Sequence, residues 1–217
     1  MFTLRQNRCS RSPRISVHVR QNNQYAFEIG KTEVTQGLWK AIMVENPSKF
    51  SQCGDDCPVE NVSWNDAIRF IKRLNKKTGK EYRLASEAEW EYACRAGGND
   101  EFCGGNEAGK LAWYKSNSGD ETSSVAGKLP NAWGLYDMSG NVSEWVQDCY
   151  QESFQGAPAD GEAWEAGNCS NRIIRGGSCN HEPRPASKPL LVASKRLFNG
   201  IDAKFSTIGF RLARTLQ

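Results

Sequence analysis

Two short motifs near the carboxyl end of the chain most constrain how it folds. The Arg-Gly-Gly-Ser motif at 175–178 has paired glycines that permit positive φ or close backbone approach. The Gly-Phe-Arg motif at 209–211 begins an alternation of apolar and basic residues that predicts a final strand. Residues 179–185 and 197–201, between the motifs, follow neither helical nor strand periodicity. We therefore predict a rigid framework that presents a loop face.

Length and composition favour one folded domain. The chain has 217 residues, of which 38% are hydrophobic and 10% aromatic, which is enough for a sizeable core. No apolar run approaches the roughly 18 residues that a membrane span needs. A net charge of +3, with dispersed lysines and arginines, is too small for a nucleic-acid footprint. We expect no transmembrane segment and no nucleic-acid partner.

The eight cysteines fit an oxidising compartment, because their number is even and several lie close together. Spacing suggests, without determining, the pairs Cys53 with Cys57, Cys94 with Cys103, and Cys149 with Cys169. A zinc site is the weaker interpretation, since the chain has two histidines and no Cys-x-x-Cys pair. Residues 1–23 lack the apolar stretch of a secretory signal. We read them as an extension before a domain at 24–217, and we infer export from the cysteines.

Three helices are predicted by their capping residues. The caps are Thr35 and two capping boxes, Ser63 with Asp66 and Ser86 with Glu89. The helices that follow are expected over 36–43, 67–75 and 87–95, with Gly79 and the glycines at 97–98 ending the last two. The remaining sequence, rich in Gly, Asn and Trp, predicts loops and short strands. The fold class is therefore α+β.

The tripeptide Trp-Asn-Asp at 64–66 has two interpretations. In calcium-dependent lectins the same tripeptide helps to hold calcium and sugar. Here it follows a helix N-cap directly, so Asp66 is explained more simply as the acidic residue of a capping box. We favour the capping role.

Six sequence blocks, in order, resemble those of the formylglycine-generating-enzyme (sulfatase-modifying factor) family. They lie at 32–36, 58–64, 82–93, 131–145, 175–178 and 209–211. The resemblance covers approximately residues 25–213. It implies that family's variant of the C-type lectin fold, as a single α+β domain with much irregular loop structure.

The resemblance does not extend to the enzymatic site of that family. Its oxidases bind copper through two cysteines after the Arg-Gly-Gly-Ser block, and the matching positions here are His181 and Ala186. Cys179 remains, but no His/Asp arrangement is visible that would activate its thiolate. A related iron-dependent branch uses three histidines, and this chain has two. We predict a non-enzymatic protein, with a diverged cysteine-modifying oxidase as the alternative.

The carboxyl-terminal region, about 175–217, resembles the variable region of diversity-generating retroelement proteins with this fold. Arg196, Asp202 and Lys204 match framework positions, and Ile201 stands at a framework position where the pattern usually has proline. The matching variable positions hold Leu197, Phe198, Asn199, Gly200, Ala203, Phe205, Ser206 and Thr207. All eight of these residues can be produced by adenine-directed mutagenesis of asparagine codons. Cys179, His181, Pro183 and Pro185 are assigned as further variable positions, in a stretch longer than the pattern.

The resemblance is to variable proteins of the treponeme (TvpA) type, which are exported and displayed on the cell surface. It implies a binding protein for an unidentified ligand, which we expect to be a protein. Phe198 and Phe205 would act as aromatic anchors on a preorganised framework. The competing interpretation makes Leu197, Phe198 and Phe205 ordinary core residues, and solvent exposure decides between the two.

No cofactor is predicted, although a structural calcium ion is left open. Members of the wider family hold calcium through the loop that matches residues 139–144. Asn141 and Glu144 offer oxygen ligands there, but an asparagine turn and a glutamate at the start of a helix explain them equally well.

Overall fold

The computed structural model describes residues 15–21, 25–167, 169–183 and 190–216. In chain order the elements are β1 (Ile15–Gln21), β2 (Tyr25–Gly30), α1 (Gln36–Met43), a 3-10 turn (Ser51–Cys53), α2 (Trp64–Thr78), α3 (Glu87–Arg95), α4 (Ala108–Leu111), α5 (Lys115–Ser118), β3 (Ser143–Cys149), β4 (Asn171–Arg175), β5 (Leu197–Gly200), β6 (Ile208–Phe210) and β7 (Ala213–Thr215). The class is α+β, as predicted. No helix of the described ranges is both long and apolar enough to cross a bilayer.

The three predicted helices are confirmed, and their caps explain where they begin. Thr35 accepts a hydrogen bond from the Leu38 amide, and both capping boxes are formed. Helix α2 begins at Trp64, directly after its cap, and ends at a left-handed Gly79. In α3 the left-handed residue is Ala96 rather than a glycine.

The strands form two sheets that the end of the chain connects. One sheet has the order β1-β2-β7 and is antiparallel, while the other has the order β5-β4-β3-β6, with β6 parallel to β3. The prediction of one final strand was wrong. The chain leaves the second sheet after Phe210 and joins the first at Ala213, because the Arg211 side chain turns inward to pair with Glu144.

The prediction of a loop at 197–201 was also wrong, because residues 197–200 form β5. This strand pairs with β4 in antiparallel register, with Leu197 opposite Ile174 and Phe198 opposite Ile173. Four residues are too few to show a strand's alternation, and the pairing partner lies more than twenty residues earlier in the chain. β5 is an edge strand of its sheet.

Two buried clusters make up most of the core. In the first, α1 and α2 pack on the second sheet, and the Trp39, Phe70 and Phe210 rings meet with centroids 5.1 to 6.3 Å apart. In the second, α3 packs through Trp90 against Val146 and Ile173. Burial of these rings fixes the framework on which the carboxyl-terminal segment lies.

All three suggested disulfides are confirmed, joining Cys53–Cys57, Cys94–Cys103 and Cys149–Cys169. The last closes the long loop between β3 and β4, which reduces the conformational freedom of the unfolded loop. β1 lies inside the predicted extension 1–23 and pairs with β2. The domain boundary at residue 24 stays a prediction.

Candidate ligand-binding surface

Arg196 ties the start of the predicted variable segment to the framework. Its Nε donates to Glu87 Oε1 at 2.7 Å and its Nη1 to the Gln151 carbonyl at 3.1 Å. The side chain is mostly buried, which strengthens a charge-assisted hydrogen bond. The chain therefore enters β5 from a fixed point.

The beginning of α2 holds residues 201–204. The Asn65 amide donates to the Ile201 carbonyl at 3.2 Å, and Asn65 Nδ2 donates to Asp202 Oδ1 at 2.8 Å. Lys204 Nζ lies 2.8 Å from Asp66 Oδ2. Residues 201, 202 and 204, which the sequence assigned to the framework, thus help to anchor the segment.

Asp66 has the predicted capping role and a second one. Its carboxylate accepts from the Ser63 amide at 3.1 Å while also binding Lys204. Burial would raise the pKa of Asp66, but the hydrogen bonds from Lys204 and Ser63 outweigh burial and lower that pKa. The Trp-Asn-Asp tripeptide therefore joins a helix cap to the carboxyl-terminal segment.

Backbone hydrogen bonds hold residues 205–207. The Asn61 and Ile208 amides both donate to the Phe205 carbonyl, at 2.9 and 3.1 Å, and the Ser143 amide donates to the Thr207 carbonyl at 2.8 Å. These bonds do not involve the side chains at 205–207. Substitution there leaves the hydrogen bonding of the backbone in place.

Two of the predicted variable side chains project into solvent. Phe198 is 47% exposed and Phe205 is 46% exposed. The Phe198 ring stacks on Tyr150, with ring centroids 3.8 Å apart. Leu197, by contrast, is half-buried and packs against the first core cluster. The core interpretation therefore fits Leu197 but not the two phenylalanines.

The other predicted variable positions of this segment, Asn199, Gly200, Ala203, Ser206 and Thr207, are half-buried. The first three lie between the two exposed phenylalanines along the chain, and the last two directly follow Phe205. We use the name variable segment for residues 197–207. Its exposed apolar area lies on residues whose side chains take no part in the backbone hydrogen bonds described above.

The predicted variable positions at 179–185 differ from one another in burial. Cys179 must be removed from the exposed set, because it is completely buried. Its amide donates to the Asn141 carbonyl, and its carbonyl accepts from Ser118 Oγ. These two hydrogen bonds hold Cys179 beneath α5. Resemblance to a variable position carries no information about burial. Pro185 lies outside the described residues.

His181 and Pro183 are half-buried. The Ser178 amide donates to His181 Nδ1 at 3.1 Å, and burial lowers the pKa of His181. The ring is therefore neutral at pH 7 and occupies one orientation. This leaves Nε2 as the nitrogen that carries the hydrogen.

The geometry around Cys179 opposes nucleophilic chemistry. Burial raises the pKa of its thiol to about 12, so the thiolate is scarce at neutral pH. The other six cysteines of the described ranges are joined in disulfides. Of the two positions that the resemblance matches to the oxidase cysteines, His181 is described and Ala186 lies outside the described residues.

Asn141 and Glu144, the residues considered for calcium, are occupied by protein donors. Both Glu144 oxygens bind Arg211, at 2.6 and 2.7 Å, and Trp90 Nε1 donates to the same carboxylate at 2.7 Å. Asn141 Oδ1 accepts from the Ser123 amide at 3.0 Å. These two side chains do not fit a calcium ligand set, and we assign them a structural role. The interpretation of Glu144 as a helix-start residue was wrong, because Glu144 lies in β3.

Comparison with known proteins agrees with the geometry. Residues 2–216 match the family model described as a sulfatase-modifying factor enzyme 1-like domain. The solved structure of Treponema denticola variable protein 1 superposes with a TM-score of 0.80 and 31% identity, covering 92% of this chain and 93% of that one. The fold is accordingly the C-type lectin-like fold in the variant that this family uses.

Two curated relatives illustrate the range of functions among similar proteins. A formylglycine-generating enzyme of Thermomonospora curvata is 31% identical over 201 residues, covering 83% of this chain and 62% of the enzyme. Chaperone protein LppX of Paenibacillus barcinonensis is 33% identical over 172 residues, covering 55% of this chain and 61% of that protein. The match thus spans about three fifths of the length of each relative.

Proposed function

We propose that this chain, which belongs to the sulfatase-modifying factor family, is a non-enzymatic binding protein with a diversified surface on its variable segment. The observation that carries the proposal is a contrast within residues 197–207. Framework residues Asp202 and Lys204 are anchored to α2, while Phe198 and Phe205 are nearly half exposed. Such a segment changes its side chains without having to refold.

Preorganisation is the physical advantage of this arrangement. A segment whose backbone is fixed before binding loses little conformational entropy when a ligand arrives. Aromatic rings add large contact areas with few rotatable bonds, as in antibody loops. The likeness to a solved variable protein supports the same function.

We further propose that retroelement mutagenesis changes the variable segment, that the protein is exported and displayed on the cell surface, and that its ligand is a protein. The three disulfides support export, because such bonds persist in oxidising compartments. The exposed Phe198 and Phe205 support a protein ligand, because aromatic residues are enriched at protein interfaces.

Substitution of the exposed phenylalanines tests the binding function. Peptides selected from a random phage-displayed library on the full chain serve as probes, with affinity measured by calorimetry. We expect Phe198→Ser or Phe205→Ser to weaken binding by about tenfold or more, the effect of losing an interfacial anchor. Leu129→Ser, at a residue 57% exposed outside the segment, is the matched control. Peptides that bind both phenylalanine variants as tightly as they bind the parent protein would contradict the proposal.

A second candidate, oxygen-dependent oxidation of a peptide cysteine, is favoured by the similarity to formylglycine-generating enzymes. It requires Cys179 to act as a thiolate, against its burial and raised pKa. Aldehyde formation on a cysteine peptide with copper and oxygen, abolished in Cys179→Ser, would establish this activity. We expect no aldehyde.

A further inference from the structure

A cleft opens beside the variable segment, between α3 and the loop that the Cys149–Cys169 disulfide closes. Its volume is about 290 Å³. Sites for small molecules usually measure about 300–1,000 Å³, so this cleft lies at the small end of that range and has room for a single long side chain. Arg196, the residue directly before β5, forms part of the wall. The cleft and the variable segment therefore adjoin.

Aromatic rings line the cleft. Tyr92 comes from α3, and Phe154 and Trp164 come from the disulfide-closed loop. Phe154 is 61% exposed, and its ring centre lies 4.2 Å from the guanidinium of Arg196. This ring already packs against a cation within the protein, the arrangement in which aromatic faces attract positive charge.

The charged groups of the lining are predominantly acidic. The carboxylates are Glu87, Glu91, Asp148 and Glu162, and the cations are Arg95 and Arg196. Arg196 is paired with Glu87 at 2.7 Å, and Arg95 with Glu91 at 2.8 Å. In the described parts of the chain, Asp148 and Glu162 form no ion pair. Arg172 interacts electrostatically with Asp148, so Glu162 is the carboxylate more open to a further cation, with Asp148 adding negative charge behind it.

The Asp148 and Glu162 carboxylates differ in depth. Asp148 is buried and accepts from the Glu87 and Trp164 amides at 2.6 and 2.9 Å, which fix its orientation. Burial raises the pKa of Asp148 to about 6, so the group is mainly ionised at pH 7. Glu162 is exposed. A long cationic side chain could pass the Glu162 carboxylate and approach Asp148.

We propose that this cleft is a fixed subsite of the binding surface and receives an arginine or lysine side chain of a protein partner. The proposal rests on the binding function proposed above. None of the residues that line the cleft occupies a predicted variable position. The subsite therefore supplies a constant contact, while the variable segment determines which partners are bound.

Titration of the ¹⁵N-labelled full chain with three capped tripeptides tests the subsite. The peptides are Gly-Arg-Gly, Gly-norleucine-Gly and Gly-Glu-Gly, each acetylated and amidated. We expect the arginine peptide to shift the amide signals of α3 and the Trp164 indole signal at lower concentration than the other two. Glu162→Gln should weaken the arginine peptide by about two- to fivefold, as expected for loss of an exposed ion pair. Glu152→Gln, an exposed charge on the same loop outside the cleft, should have no effect.

Three outcomes would overturn the subsite. Equal shifts with the norleucine peptide would identify an apolar pocket, and a preference for the glutamate peptide would identify an anion site. Absence of shifts at α3 and Trp164 with every peptide would remove the site. Phage-selected peptides weakened by Phe198→Ser but unaffected by Glu162→Gln would leave the binding function standing and would refute the subsite for those ligands.

Discussion

At the scale of single residues, Asp66 connects the framework to the variable segment, because one carboxylate caps α2 and binds Lys204. We expect Asp66→Ala to lower the free energy of unfolding by about 1–2 kcal/mol, through loss of capping hydrogen bonds. Lys204→Ala should cost less than about 1 kcal/mol, because the lysine is half exposed. Urea denaturation measures both. A larger loss for Lys204→Ala than for Asp66→Ala would contradict this assignment.

At the scale of elements, the variable segment should tolerate substitutions that its anchors do not. We expect Phe198→Ser and Phe205→Ser each to lower the unfolding free energy by about 1 kcal/mol, since each ring is nearly half exposed. Arg196→Ala should cost about 2 kcal/mol or more, because Glu87 loses a mostly buried donor. Thermal denaturation compares the variants. Greater destabilisation by either single phenylalanine variant than by Arg196→Ala would place that ring in the core.

Some features of these elements could be predicted from the sequence, and others could not. Helix caps at Ser63 and Ser86 were predictable because the residues that complete the capping boxes, Asp66 and Glu89, lie three positions further along the chain. Strand β5 was not, because it exists only through pairing with β4. Burial of Cys179 depends on contacts with Asn141 and Ser118, and the cleft combines α3 with a distant loop. Structure that depends on neighbouring residues could be predicted from the sequence, whereas structure that depends on contacts between distant residues could not.

At the scale of the whole molecule, buried carboxyls make stability depend on pH. Burial raises the pKa of Glu60 to about 7 and those of Asp137 and Asp148 to about 6, and it raises the pKa of Glu33 strongly. A raised carboxyl pKa means that the folded state holds the proton more tightly. That stabilisation is complete below the unfolded pKa near 4 and is lost as pH rises through about 6 to 7.

We therefore expect the melting temperature to fall by at least about 3 °C between pH 5 and pH 8. His181, whose pKa burial lowers, acts in the opposite sense but is one group against four. Scanning calorimetry in buffers of equal ionic strength gives the profile. A melting temperature that rises steadily over this interval would show that these carboxyls are ionised at no cost in the folded protein.

The central claim is that the variable segment is diversified on a constant framework. Its most direct test is deep sequencing of the codons for residues 175–217 across many cells of one population. We predict substitutions concentrated at the codons of the eight predicted variable positions, including 198 and 205, with codons 175–178 and 209–211 constant and codon 179 excluded by its buried side chain. A uniform sequence, or changes spread evenly over framework and variable codons, would contradict the claim.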